Sequence, residues 1–372
     1  MRAAVLHATA RHRPYSESRP IAVEEVAFSG GPRAGELRVK IERASLCHSD
    51  LSVVDGTRQR PLPMVLGHEA VATVQEVGNG VAEIQPGDRV VLAFVPSCGT
   101  CAVCQSGRPA LCEKAAASNA EGSLLHGGPV LRDRSGAVLL HHLGVSAFAE
   151  EAIVARESAV VVPHDVPIEV LAVFGCAVLT GMGAVLNTAA VRPGQSVAVY
   201  GVGGVGIAAL MAARLVGAYP IIAVDPISEK HILAKRIGAT AAVTPSEARM
   251  RIAELTPNGV DVVIEAVGRA DVLAECVGVS ARGGTTVAVG LPNAQSALDV
   301  PALAFAAGGR RILGSYMGDA VPARDIPTYL ALWRAGHLPF ELMHSSTLGL
   351  EKINSALDAL ADATVVRQLV IP

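Results

Sequence analysis

Aromatic residues are scarce in this chain of 372 residues: Phe, Tyr and Trp together make up 3%. So thin a supply argues against a platform on which nucleic-acid bases stack. Charge is also sparse, at 17%, and the formal net charge is only -3, with no run rich in Lys or Arg. A polyanionic partner is therefore not expected. Repeats and low-complexity tracts are missing. So is a basic, apolar and cleavable leader; residues 1–6 read instead as a strand entering the fold. Glycine, proline or charge interrupts every apolar run. Residues 168–179, with Glu169, Gly175 and Cys176, are expected to stop short of the roughly 20 residues that span a bilayer. A soluble protein of the cytoplasm, without a membrane partner, is the expectation.

What the chain does have is apolar bulk, 51% of all residues. That excludes disorder and, at this length, allows two domains with separate cores. Short β-like runs at 36–42, 70–77 and 88–94 are separated by turn formers at 78–80 and 85–88. This half reads as a β-rich, barrel-like domain. From about residue 178 strand and helix alternate, with strands at 196–200, 220–224, 241–243, 260–265 and 285–289. Helices are expected at 207–216, 228–237 and 270–279. Such alternation predicts a doubly wound parallel sheet, so the fold class is α/β. Beyond 316 the chain reads as helical, ending in a strand at 368–371.

Seven cysteines, at 47, 98, 101, 104, 112, 176 and 276, are an odd set for a secreted disulfide framework. Cys98, Cys101, Cys104 and Cys112 fall in one loop of turn formers. Four thiolates can close a tetrahedron round zinc and leave no open position, which makes such a site structural. Its formal charge of about minus two calls for backbone amides and bases such as Arg108 or Lys114. Redox cysteines or an iron–sulfur cluster are the competing readings.

Cys47, His68 and Cys176 are weak signals singly. Together, two thiolates and an imidazole would neutralise zinc and leave one position open; this donor set is the one already established for alcohol dehydrogenase. A metal there would stabilise an alkoxide by charge. Asp50 is a candidate partner for the second nitrogen of His68. Glu69 is a candidate to tune the metal from behind, and Ser49 to take an alcohol proton. A capping Ser/Asp pair and a surface Glu are the plainer alternatives.

The stretch Gly201-Val202-Gly203-Gly204-Val205-Gly206 follows a strand and opens a helix, and Asp225 stands 19 positions after Gly206. Those flanks fit a dinucleotide fingerprint: glycines let the backbone approach the pyrophosphate, and the acid binds the adenosine ribose. The charge of Asp225 would repel a 2′-phosphate, favouring NAD over NADP, although Lys230 and Arg236 could blunt that.

With these motifs in place, the chain resembles the zinc-containing medium-chain alcohol dehydrogenase family, in the form that carries two zinc sites. The resemblance runs over nearly the whole chain, through residues 47–50, 67–69, the four-cysteine lobe (95–113), Cys176, the glycine loop with Asp225, 267–269 and 366–368. It implies a GroES-like catalytic domain from residues 1–177 and 317–372 and a Rossmann domain from 178–316. It implies two Zn²⁺ per subunit, NAD, an alcohol or aldehyde lying between the domains, and a homodimer or homotetramer. Ser49 is then the proton acceptor, and His48, Lys230, Val267, Arg269, Val289, Leu291 and Arg367 are cofactor contacts. Phe94, His142, Leu143, Leu291 and Tyr316 are implied pocket walls, a mostly apolar set suited to primary aliphatic, allylic or aromatic alcohols. Two departures stand out: Ser52 replaces the histidine that ends the family's proton relay, and His142 replaces an aromatic residue. A thiol-dependent formaldehyde dehydrogenase is the near alternative, but 115–118 offers no basic residue for a thiol's carboxylate. A non-catalytic zinc- and nucleotide-binding protein is the alternative from another class.

Overall fold

The computed structural model describes residues 1–10 and 12–372. The chain divides into two compact units. The first holds residues 1–176, 321–327 and 343–372; the second holds 177–320 and 328–342. Residues 177, 317–320 and 328–342 thus group with the second unit, whereas the family resemblance implies that 1–177 and all of 317–372 form the first.

In the first unit, Glu36–Leu46 is the organising strand. It pairs antiparallel with Ala70–Val77, Glu151–Ala155 and the C-terminal Arg367–Ile371. Its inward residues Leu37, Val39 and Ile41 join Val74, Val90, Phe148 and Leu357 in one buried cluster. Each fully buried side chain of this kind contributes about 1.5–3 kcal/mol. A β-rich unit with long loops was expected. The strand His344–Gly349 was not: it pairs parallel with Arg367–Ile371 in a stretch read as helical.

The second unit is a six-stranded sheet, parallel throughout. Val197–Tyr200 lies at its centre, flanked on one side by Ile221–Val224 and Ala241–Val243. On the other side follow Val260–Glu265, Ser280–Ala288 and Arg311–Gly314. This is the Rossmann order, with its reversal beside Val197–Tyr200. Its strands are apolar on both faces because helices cover both. The α/β class and the parallel Rossmann sheet are as the resemblance implies.

One expectation fails. Ile168–Thr188 is a continuous helix of 21 residues, long and apolar enough to cross a bilayer by length and composition. Neither Gly175 nor Cys176 interrupts it, and Glu169 lies in its first turn. Within its most apolar stretch, 89% of residues are buried by protein, so the fold itself covers the apolar surface that the composition reports. Uniform hydrophobicity marks a buried helix as readily as a spanning one.

Candidate active site

Cys47 ends the strand Glu36–Leu46 and caps the helix His48–Val54. Its N–H donates to Asp50 Oδ2 at 3.0 Å, so the third helical residue reaches back to the cap. The other oxygen, Asp50 Oδ1, accepts from Gly67 N at 3.2 Å and lies 3.1 Å from His68 Nδ1. It lies equally close to His142 Nδ1. Burial alone would raise this carboxyl, but the two imidazoles bring it down to about 2. Asp50 therefore orients the His68 ring, as expected of a ligand's carboxylate partner.

His68 Nε2 is buried and has no hydrogen-bond partner among the described residues. It lies with the sulfurs of Cys47 and Cys176 in a group whose donor atoms are all within 4.8 Å of one another. Cys176 sits in the π-helical turn Phe174–Val178, and such turns recur at functional sites. Its N–H donates to Glu69 Oε1 at 2.8 Å. A hydrogen bond from Cys176 holds the Cys47 thiol well below the ordinary range despite burial, with Arg367 and His68 adding to the effect. Two thiols, one readily ionised, and an imidazole nitrogen without a partner fit a dication that keeps a fourth place open.

Around this trio, Ser49 Oγ lies 4.0 Å from Cys47 Sγ. His48 is exposed. Ser52 donates to the His48 carbonyl at 2.8 Å, so its hydroxyl is spent on its own helix. Phe94 meets the His68 ring edge-on at 5.7 Å, and His142 does so at 5.3 Å. Leu143 is buried with a φ of 52°. His142, expected as a pocket wall, thus rests on Asp50 and His68. Arg367, expected at the cofactor, is only 3% exposed, and its Nη1 donates to the Leu46 carbonyl at 3.0 Å. Burial opposes its charge, but Cys47, Glu69 and Cys176 together push its pKa up. The register Gln368↔Leu46 brings it there, a pairing across most of the chain.

The second cluster is Cys98, Cys101, Cys104 and Cys112, whose sulfurs also lie within 4.8 Å of one another. Cys101 and Cys112 Sγ are 4.0 Å apart, near the roughly 3.8 Å edge of a zinc–thiolate tetrahedron. Backbone N–H groups of Cys98, Cys101 and Ala115 donate to sulfur at 3.3–3.5 Å. Lys114 reaches Thr100 Oγ1 at 3.2 Å, and that hydroxyl faces Cys98 Sγ at 3.5 Å. Burial opposes ionisation of Cys98, but Thr100 brings its thiol down to about 6. Burial and the thiols of Cys101 and Cys112 push Cys104 up to about 12. Thiolates this crowded need a cation, and four of them complete its shell. The chain therefore carries two zinc sites of different kind, one closed and one open.

In the second unit, Gly201 takes a φ of 90°, and a Cβ on Gly206 would meet Gly201 O at 1.8 Å. A Cβ on Gly203, by contrast, would meet nothing within 4 Å. The turn is thus closed underneath and open above, at the N-terminus of the helix Gly204–Leu215, which fits a pyrophosphate. Val205 is half-buried in the first turn of that helix. Asp225 is buried; Oδ2 accepts from Val202 N at 2.7 Å and Oδ1 from Ile227 N at 3.0 Å. Lys230 Nζ lies 3.8 Å from the same carboxylate, so it offsets charge at Asp225. Arg269 is exposed and paired with Asp271 at 2.7 Å. Val267 and Leu291 are exposed apolar residues, Val289 is buried and Tyr316 is half-buried. Glu265, which in the sequence marks only the end of a strand, is buried beneath the turn that carries Val267 and Arg269.

Comparison with known proteins agrees with both units. The family model described as alcohol dehydrogenase GroES-like domain matches residues 33–164, and that described as zinc-binding dehydrogenase matches 204–334. An NDMA-dependent alcohol dehydrogenase of Amycolatopsis methanolica is 33% identical over 383 residues, spanning 100% of this chain and 98% of the relative. An alcohol dehydrogenase zinc-binding domain protein of Burkholderia ambifaria has a solved structure that superposes with a TM-score of 0.92. It is 35% identical, with 100% and 98% of the two chains covered. The structure of benzyl alcohol dehydrogenase from Acinetobacter calcoaceticus gives 0.91 at 30% identity over the same shares.

Proposed function

The chain belongs to the zinc-containing medium-chain alcohol dehydrogenase family, and from that premise we propose that it oxidises primary alcohols reversibly to aldehydes with NAD. The observation that carries this reading is the buried Cys47–His68–Cys176 trio with a partnerless His68 Nε2. When bound, zinc supplies Lewis acidity at an alcohol or carbonyl oxygen, and NAD supplies the hydride acceptor.

The residues divide the remaining work. Cys47, His68 and Cys176 hold the open zinc site; Asp50 fixes the ring of His68, and Glu69 fixes the backbone of Cys176. Ser49 Oγ, beside Cys47, takes the alcohol proton. Ser52 cannot carry it onward while it donates to His48 O, so the proton leaves through exposed His48 or through water. Ser49→Ala is expected to lower kcat by on the order of a hundredfold. Unchanged kcat, at unchanged zinc content, would remove Ser49 from the reaction.

Gly201–Gly206 cradles the pyrophosphate and Asp225 takes the adenosine ribose diol, with Lys230 balancing its charge. A 2′-phosphate would meet a buried carboxylate. Asp225→Gly is therefore expected to cut the NAD/NADP ratio of kcat/KM by about tenfold or more. An unchanged ratio counts against the ribose role.

Phe94 and Leu143 supply the apolar surroundings of the site in the first unit, and His142 a polar element beside them. The Acinetobacter relative is a benzyl alcohol dehydrogenase by name, which supports an aromatic alcohol as the first substrate to try. The test is a panel of alcohols, aldehydes and an S-hydroxymethyl thiol, run in parallel with NAD, NADP and NDMA. Benzyl or allyl alcohol with NAD should turn over best. Turnover with NADP or NDMA alone would overturn the cofactor assignment. No turnover of any alcohol by protein verified to hold two zincs would overturn the reaction. We read the working form as a homodimer or homotetramer, which light scattering decides.

A further inference from the structure

Glu265 ends the strand Val260–Glu265 and is 1% exposed. Its side chain and its backbone serve two different turns. Oε1 accepts from Val267 N at 2.8 Å and from Gly268 N at 2.7 Å. Its carbonyl accepts from Val289 N at 2.9 Å and from Gly290 N at 3.0 Å. The turns at 266–269 and 289–291 are also pressed together. A Cβ on Gly290 would meet Gly268 N at 2.1 Å and Glu265 Oε2 at 2.9 Å. Burial pushes the Glu265 carboxyl up, against the pull of the Gly268 and Val267 amides. A buried acid that spends itself on backbone amides rather than on a cation holds a conformation.

The sheet order says what that conformation is for. Asp225 and the glycine loop lie at the ends of Ile221–Val224 and Val197–Tyr200. The turns held by Glu265 follow the next two strands on the opposite side of Val197–Tyr200. A dinucleotide lies across the carboxyl ends of such strands, at the point where the order reverses. If its adenosine half takes the Asp225 side, its nicotinamide half takes the side of Val267 and Leu291. These two side chains are 46% and 47% exposed, an apolar surface at the mouth of the sheet.

We propose that Glu265 is the positioning residue for the nicotinamide half of the cofactor, tying the turns at 266–269 and 289–291 into one platform. This rests on the nucleotide reading above. It differs from a general structural role in predicting loss on one half of the dinucleotide only.

The test uses two probes, NADH and ADP-ribose, which lacks the nicotinamide ring, titrated calorimetrically into the zinc-loaded protein. Glu265→Gln keeps an acceptor oxygen and should bind both probes within about twofold of the parent. Glu265→Ala removes the acceptor, and Glu265→Asp draws it back by one methylene. Both should weaken NADH by about tenfold or more and ADP-ribose by less than about threefold. Equal weakening of both probes, or parental NADH affinity in either variant, overturns the proposal. Should Glu265→Ala fail to fold, Glu265→Asp carries the same comparison. A parent protein that binds neither probe defeats the nucleotide reading itself, and the role of Glu265 falls with it.

Discussion

Cys47→Ala is expected to lower kcat/KM by on the order of a thousandfold or more while NADH still binds within about twofold of the parent. Removing one thiolate takes away both a ligand and a charge, so His68 and Cys176 are left to hold a dication with half the neutralisation. The several kcal/mol that Lewis acidity gives an alcohol oxygen go with it. The fold should survive, because Asp50 accepts the Cys47 N–H and not its sulfur. The strand end and helix cap therefore keep their hydrogen bond. Cys47, His68 and Cys176 all lie in the first unit and the glycine loop in the second, which is why nucleotide binding should persist. Metal analysis should show zinc per subunit falling from two to one. Retained turnover in protein measured at one zinc would refute the assignment.

Much of the second unit was legible because many of its boundaries have a local cause, although the helix Pro245–Leu255 and the edge strand Arg311–Gly314 were not expected and Ser280–Ala288 begins five residues before the expected strand. Ser228–Ile237 stops where Gly238 turns left-handed, with φ at 125°. Val260–Glu265 and Ala270–Val279 appear at the expected limits, since a short apolar run and a helical period are hard to confuse when a glycine turn separates them. The long helix Ile168–Thr188 was not legible. A segment apolar on every side has no period to read, and residues such as Gly175 look like breaks until burial is known. His344–Gly349 was missed because a polar strand signals itself only through its partner, Arg367–Ile371.

The site divides along the same line. Ligand types at the right spacing announce the four-cysteine cluster and, taken together, the Cys47–His68–Cys176 trio. What no spacing carries is the company these residues keep. Arg367 reaches Leu46 through a pairing between the two ends of the first unit. His142 and His68 share one oxygen of Asp50. Glu265 had a faint signal, an acid ending a buried strand just before a glycine turn. Its meaning lies in backbone amides that a sequence does not locate.

Cys112→Ser should produce its large effect on local order rather than on chemistry. Cys112 is 1% exposed and accepts N–H bonds from Cys98 and Ala115, so it joins the zinc cluster to the first turn of the helix Glu113–Glu121. Structural zinc is worth about 10–16 kcal/mol to a peptide that cannot fold without it. Besides two of its cysteines, the lobe at 95–113 buries only small or medium side chains, Val95 and Ala110 among them, so packing alone cannot hold it closed. The metal's contribution is thus concentrated there, and its loss opens the lobe before the rest of the unit. Cleavage by trypsin at Lys114, in the helical turn that Cys112 caps, should accelerate by on the order of a thousandfold, with one zinc lost per subunit. The melting temperature, set by the larger core around Glu36–Leu46, should fall only by about 2–4 °C. The competing redox reading predicts the reverse: with all four thiols free, a serine at 112 would leave the lobe as resistant as before and the zinc content unchanged. That pair of results would dismiss the structural metal.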